Sequence, residues 1–421
     1  MASTRHYGRA SALAFGLAVI CCSGALQAQQ QNEGPSTQFG LTTGVMFNDN
    51  RGLDDDSLGS TTELFTRLDF TLRFATPIQD LELTGDIGLR TVNGAERDNL
   101  PGGFNDPNIR LSYGRQSRDA ALDVTVFASE RDVISTSLQL IEDTSNFELL
   151  SDIGSVLRFG FDTDLELRRR APFGVTLSAG FTGLRYSDDA SADLTDQDRF
   201  RIGALFRLDL DPATRATLNA RLTTFEDDGT PEGRRDTYTL DGLLRRNLRN
   251  GSATARAVAV STEDGERYTL SVGRSVETEL WDVSGTAGVT RGVEGDLSAI
   301  GTIDVTRTLK NGSWSANFSR AVVSSSDDEQ QDITTLGLGY STQLDALTLF
   351  STNLSYTDRS DTDAGGGGSL GLLGLTVQHT LTEDWRLDVG LQHRVNKNTA
   401  GIRARDNQIS ISLRRDFFAR R

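Results

Sequence analysis

The sequence predicts an all-β protein: a transmembrane antiparallel up-and-down β-barrel of about 20 strands, within a range of roughly 16–20, preceded by a cleaved signal peptide. Three observations predict it. From Gln38 to the C-terminus, runs of some ten residues alternate apolar and polar side chains. The breaks between runs alternate between tight turns and longer polar stretches. The single long apolar segment lies near the start, so any further membrane span has to be built from strands.

That first segment runs Ala12-Leu13-Ala14-Phe15-Gly16-Leu17-Ala18-Val19-Ile20 after Arg5 and Arg9, with small residues and a cut site after Ala25 or Ala28. It has the flanks of a secretory signal and is too short for a spanning helix. The expected division is residues 1–28 as signal peptide and 29–421 as barrel. Cys21 and Cys22 are the only cysteines and both fall inside the signal. Ile20 and Cys21 are poor residues to precede a lipidated cysteine, so the mature chain is expected to carry no thiol chemistry. Removing the signal takes away two arginines and no acid, which moves the net charge from −16 to −18. A surface this acidic argues against nucleic acid. Only 37% of residues are hydrophobic, with 42 Gly and 7 Pro; that suits a water-filled barrel better than an oily core or a disordered chain.

Along the chain the alternation holds its period. Leu81, Leu83, Ile87 and Leu89 face one way, and Glu82, Thr84, Asp86 and Arg90 the other. Similar runs are 68–74, 122–128, 157–167, 200–210, 218–222 and 387–395, with 252–262 weaker. In the last run, Ile409, Ile411, Leu413 and Phe417 oppose Gln408, Ser410, Ser412, Arg414 and Asp416, as the closing strand of a barrel requires. Short breaks such as Asp211-Pro212-Ala213-Thr214, Arg249-Asn250-Gly251 and Lys310-Asn311-Gly312 are tight-turn chemistry. Longer ones are expected at 49–59, 93–105, 132–153, 187–197, 227–235, 324–331, 358–368 and 396–404. They gather acids such as Asp54-Asp55-Asp56 and Asp327-Asp328-Glu329, whereas Arg168-Arg169-Arg170 and Arg245-Arg246 sit at short turns. Aromatics near run ends (Tyr113, Tyr186, Tyr238, Tyr268, Trp281, Trp314, Tyr340, Tyr356, Trp385) are candidates for interfacial girdles. A soluble propeller or sandwich is the competing fold, but a propeller's repeat of ~40–50 residues is absent.

If the apolar face meets lipid, the other face lines a lumen. It carries Arg67, Asp69, Arg73, then Glu82, Asp86, Arg90, then Arg158, Asp162, Asp164 and Glu166. Arg199, Arg201, Arg207 and Arg221 follow, and Arg386, Asp388, Arg394 and Arg414 approach the end. Charges turned toward lipid would cost about 2–4 kcal/mol each near the midplane, so their confinement to one face is informative. Two readings stay open: a charged, selective pore, or cross-strand salt bridges that hydrate the wall.

Other chemistry has little support. The mature chain has only His379 and His393, both on apolar faces without an activating partner, so no enzyme is expected. The acidic breaks lack the spacing of a closed calcium loop, and no metal or cofactor is expected.

With signal, alternation and terminal strand together, the chain resembles Gram-negative outer-membrane β-barrels, porin-like ones in particular. Leu413-Arg414-Arg415-Asp416-Phe417 is similar to the ending of porin-like barrels found with exopolysaccharide secretion systems. The strands begin soon after the signal, leaving no room for the plug of siderophore-type transporters. The resemblance implies an outer-membrane location after export through the inner membrane, and passage of polar solutes or an exported polysaccharide. It also implies contact with outer-membrane lipid and lipopolysaccharide, and delivery by the barrel-insertion machinery through the C-terminal strand. Such strands usually end the chain on an aromatic residue, whereas here Ala419-Arg420-Arg421 follow Phe418. In general porins the third outer loop folds inward, which makes Glu142, Asp143, Glu148 and Asp152 candidates for a constriction opposite Arg199, Arg201 and Arg221. The alternative is a non-transporting surface barrel whose acidic loops bind partners or lipopolysaccharide. Solute, direction and oligomeric state are open.

Overall fold

The computed structural model describes residues 34–53, 57–95, 102–132, 154–187, 195–228, 233–263, 265–324, 330–361, 367–397 and 401–420. The expected signal, 1–28, lies outside them. The described residues form twenty strands. The first ten are β1 (Gly34–Asn48), β2 (Thr61–Thr76), β3 (Gln79–Gly94), β4 (Gly103–Gln116), β5 (Ala120–Asp132), β6 (Ser155–Leu167), β7 (Phe173–Tyr186), β8 (Gln197–Asp209), β9 (Thr214–Asp227) and β10 (Arg234–Leu248). The rest are β11 (Gly251–Ser261), β12 (Glu266–Glu277), β13 (Trp281–Arg291), β14 (Leu297–Leu309), β15 (Gly312–Ser324), β16 (Gln330–Gln343), β17 (Thr348–Asp361), β18 (Gly367–Thr380), β19 (Trp385–Lys397) and β20 (Arg403–Arg420). Each pairs antiparallel with its sequence neighbours, and β20 returns to β1 from Asn48↔Gln408 to Ser36↔Arg420. The sheet is closed, so its backbone polar groups are satisfied without water.

Closure gives the two faces different solvents. One carries exposed apolar rows such as Leu64, Leu68 and Leu72 on β2, or Leu270 and Val272 on β12. The other is the inside of the barrel. One end of the barrel has tight turns, among them Asn250-Gly251, where Gly251 takes φ +132° and a Cβ would stand 2.1 Å from the Ser275 carbonyl oxygen. The opposite end carries the longer connections, but not uniformly: the expectation of eight long breaks omits two connections at this end, 262–265 and 292–296, which are short. One register shift lies between β3 and β4, where Ile87 faces both Asp106 (φ +48°) and Pro107. Proline cannot donate to the ladder, and a bulge is where a sheet tolerates it.

Girdle aromatics cluster at the tight-turn end. Trp281 and Trp314 meet edge-on at 5.6 Å, Arg307 lies over Trp281, and Arg415 lies over both Trp385 and Phe417. Tyr238, Tyr268 and Tyr356 stand on the outer face toward the other end. Tyr186 departs from the expectation, because its parity with Gly180 and Thr182 turns it to the inner face.

The seam is held by more than its ladder. Arg414 of β20 reaches across β1 to Asp69 of β2 with paired bonds of 2.7 and 2.9 Å, and its Nε donates to Asp416 at 2.8 Å. Gly40 of β1 lies beneath, and a Cβ there would be 2.3 Å from Arg414 Nη2 and 2.5 Å from Asp69 Oδ2. Gly40→Ala is therefore expected to displace the bridge and cost about as much as Arg414→Gln, on the order of 1 kcal/mol for a half-screened pair. The double variant should cost no more than either single one in denaturant unfolding of the lipid-embedded barrel; additivity would show that the bridge does not cross Gly40.

Tight turns carry their own pH signature. The backbone N–H of Leu347 and then the Thr348 hydroxyl hold the Asp345 carboxyl below its usual range, and those of Ala213 and Thr214 do the same for Asp211. A depressed folded pKa stabilises above the unfolded value, near 3.9, and loses that contribution as pH falls through the folded value. Amide protection in the 344–347 turn, taken relative to the intrinsic exchange rate at each pH, should thus fall below about pH 4 in the wild type. In Asp345→Asn it should be lower already at pH 7 and change little with acid.

Candidate functional site

The register determines which side chains line the inside, because a strand's parity is fixed once one residue is placed. Asp69 pairs with Asp86 across β2–β3, Asp162 opposes Thr125 and Gly180, and Arg201 opposes Gly180 and Thr223. Followed around the wall, this chain of pairings puts Arg67, Asp69, Arg73, Glu82, Asp86, Arg90, Arg158, Asp162, Arg199, Arg201, Arg207, Arg221, Arg386, Asp388, Arg394 and Arg414 on the inner face. Glu142, Asp143, Glu148 and Asp152, the expected constriction acids, lie outside the described residues. His379 and His393 face outward, bonded through Nδ1 to Thr348 and Asn407, each at 2.8 Å.

Inside, the wall divides into two arcs. The charged arc runs from β19 through β20 and β1 to β11. Two of its strands, β1 and β7, offer no inward charge and are instead bridged from either side. The Arg414–Asp69 pair spans β1. Arg201 of β8 reaches Asp162 of β6 at 2.9 Å across β7, where a Cβ on Gly180 would lie 2.5 Å from Asp162 Oδ1. Arg207 crosses the same strand near Gly174 and donates to the Arg168 and Arg169 carbonyls at 3.1 and 2.7 Å, clamping the 168–172 turn. Arg256 of β11 holds Asp241 of β10 with bonds of 2.9 and 2.8 Å. Gly40, Gly180 and Gly174 leave the space that the Arg414, Arg201 and Arg207 bridges occupy.

At the long-connection end this arc becomes a buried ionic network. Asp406 of β20 is fully buried and Arg394 of β19 is 3% exposed; Arg394 Nε donates to Asp406 Oδ2 at 2.8 Å. Arg394 Nη2 donates to the Arg51 carbonyl at 3.0 Å, and the Asn50 N–H donates to Asp406 Oδ1 at 3.2 Å. Arg51 then pairs with Glu63, and Arg90 pairs with Asp132. The connection after β1 is thereby folded back against β19, β20 and β2, with Asn50 and Leu53 buried.

The second arc, β12 to β18, is sparsely charged: β12 turns Arg267 and Glu277 inward and β13 Asp282, and between β14 and β18 small polar residues predominate. Its inward rows read Ser313, Ser315, Asn317, Ser319 on β15; Thr335, Gly337, Gly339, Ser341 on β16; and Ser351, Asn353, Ser355, Thr357 on β17. Among the described residues, no inward position of β15, β16 or β18 is charged; β14 contributes Asp304 and β17 Arg359. Hydroxyl pairs cross this wall at Thr269–Thr290 (2.9 Å) and Thr286–Thr302 (2.8 Å). Thr286, Asp304, Ser315, Asn317 and Asn353 are all solvent-exposed on the inside.

Parity reasoning placed the arginines together with Asp69 and Asp162, but missed Asp406, Asp241 and Arg256. Asp406 shares the parity of Gln408 and Arg414, but lies just before the run that was read as the terminal strand. Arg256 falls in 252–262, the stretch whose alternation is weakest, and its partner Asp241 lies outside the runs read as strands. The neutral arc was legible as Ser-x-Ser-x-Asn-x-Ser and Ser-x-Asn-x-Ser-x-Thr, patterns that charge-seeking passes over.

Removing one member of the buried pair leaves an uncompensated charge. Asp406→Ala is expected to cost about 3–5 kcal/mol in guanidinium unfolding of the lipid-embedded barrel. Arg394→Met with Asp406→Leu should recover most of that loss, since no charge then stays buried.

No family model matches the chain, and no curated protein matches it. Solved structures do. The fold is similar to the siderophore receptor PirA from Acinetobacter baumannii, at TM-score 0.56 and 7% identity over 92% of this chain and 81% of that one. It is also similar to the ferric enterobactin receptor PfeA from Pseudomonas aeruginosa, at TM-score 0.55 and 10% identity over 92% and 82%. OpdK from Pseudomonas aeruginosa aligns at TM-score 0.44 and 14% identity over 91% and 99%. With PirA and PfeA the chain shares its fold: a closed antiparallel membrane β-barrel, here of twenty strands.

Proposed function

We propose that the protein is an outer-membrane channel through which polar, hydroxyl-rich solutes pass, an exported polysaccharide among them. The long connections then face the cell exterior and the tight turns the periplasm, the usual polarity of such barrels. The observation that carries the reading is the neutral arc. From β15 to β17 the inner wall presents Ser, Thr, Asn and Gly at successive inward positions, with Ser315, Asn317 and Asn353 open to water. A wall built only to close a barrel would be crossed by ion pairs all round, as the β19–β11 arc is. Hydroxyl and amide groups exchange hydrogen bonds with sugar hydroxyls at little net gain, so they guide a solute without holding it. Twenty strands give a barrel wide enough for a water-filled lumen.

The test is single-channel conductance of the refolded mature protein in a planar bilayer. Steady openings in potassium chloride are expected, with brief blocks when a neutral maltodextrin is added. Ser315→Leu, Asn317→Leu and Asn353→Leu combined should reduce block frequency several-fold with little change in the unblocked current. A folded, heat-modifiable barrel without conductance would overturn the channel reading.

A further inference from the structure

Outward-facing cations at the long-connection rim are of two kinds. Arg185, Arg234 and Arg320 each have a carboxylate: Asp198 at 2.8 Å, Asp236 at 3.4 Å and Asp332 at 2.7 Å. Arg291 stands singly beside Tyr268. On β19 and β20 the pattern changes. Lys397 lies directly opposite Arg403, and Val395 opposite Arg405. Because Arg394 and Asp406 point inward, Lys397, Arg403 and Arg405 share the lipid-facing side, and all three are exposed. None has an ion-pair partner among the described residues. Asp49, on the same outer side, is engaged by the N–H and amide of Asn407 at 2.7 and 2.6 Å, one step nearer the membrane. Directly opposed Cβ atoms stand about 5 Å apart and next-but-one positions about 7 Å, so three long cationic side chains can converge on one tetrahedral anion.

Height identifies the anion. Arg405 is ten residues from Arg415, which lies in the girdle with Trp385 and Phe417. At about 3.3 Å per residue and a tilt near 40°, those residues span about 25 Å, the height of a barrel's apolar band. Between them the outer face offers exposed Leu391, Ile409 and Ile411. The surface thus has an apolar wall for acyl chains with three cations at the level of the headgroup.

We propose that Lys397, Arg403 and Arg405 form a binding site for the phosphate headgroup of an outer-leaflet lipid, whose chains lie against β19 and β20. This rests on the reading that the long connections face the exterior. It also changes the chemistry expected from the sequence, where acidic loops were candidates for lipopolysaccharide contact: here cations meet the phosphate directly, and no bridging metal is required.

The test is binding of the detergent-solubilised mature barrel to bisphosphorylated lipid A, read by native mass spectrometry and by fluorescent-lipid titration, independently of conductance. Lys397→Gln, Arg403→Gln and Arg405→Gln combined should weaken binding about 10–100-fold, at roughly tenfold or less per cation. The same three changes at Arg185, Arg234 and Arg320 should leave it nearly unchanged. Because the three residues are exposed, heat-modifiability should be unaltered, which separates loss of the site from loss of the fold. Equal affinity for dephosphorylated lipid A, or no loss in the triple variant, would overturn the proposal. So would full displacement by millimolar inorganic phosphate, which would make the cluster a general anion patch.

Discussion

Every feature of this molecule depends on one constraint: in a bilayer no backbone N–H or C=O can be left unpaired. A sheet obeys it only by closing, so the contact between β1 and β20, the strands farthest apart in sequence, is the condition for all the others. The ladder from Asn48↔Gln408 to Ser36↔Arg420 supplies the backbone part. The Arg414–Asp69 bridge adds a side-chain part that spans three strands on the inner face, so β1 is not held by its neighbours' backbone alone. The price is a glycine at position 40, where any side chain would occupy the space of the bridge.

Closure also explains why so much was legible from sequence. Once the sheet is closed and surrounded by lipid, parity becomes nearly binary, and a charged residue on the wrong face costs several kcal/mol. The alternation Leu81 to Arg90, or Gln408 to Phe417, therefore has one reading for every residue in it. What parity cannot give is partnership. Arg414 with Asp69 and Arg201 with Asp162 are joined across an intervening strand, at sequence separations of 345 and 39. The signal for those bridges is a glycine on the strand between, which looks like any other strand glycine until the register is known. Asp406 was missed for a different reason: it follows Arg403 and Arg405, and a basic stretch before a strand reads as a loop.

The two arcs of the inner wall answer different physical demands. In the charged arc nearly opposite groups neutralise one another at short range, and the network around Asp406 is buried enough that each charge requires its partner. That half is rigid and binds the first long connection to the wall. The neutral arc contains few groups whose loss would leave a buried charge. Most of its inward side chains on β15 to β17 are small and short-reaching, with Ser315, Asn317 and Asn353 exposed, so they contribute little to holding the barrel together and leave space in the lumen.

This division bears on how the barrel would treat what enters it. A solute beside the charged arc meets guanidinium and carboxylate groups already bonded to each other, so capturing it means breaking a bidentate pair such as Arg256–Asp241. The same solute beside Ser315, Asn317 or Asn353 exchanges one weak hydrogen bond for another as it moves, because water offers nearly equivalent partners. Self-paired ions therefore act as wall rather than as binding site, and the path of least retention runs along β15 to β17. On the outer face the logic inverts. There Lys397, Arg403 and Arg405 have no carboxylate partner among the described residues, and on the proposed reading an unpaired cation cluster at headgroup level would retain an anionic lipid for the same reason that a paired one inside would release a solute.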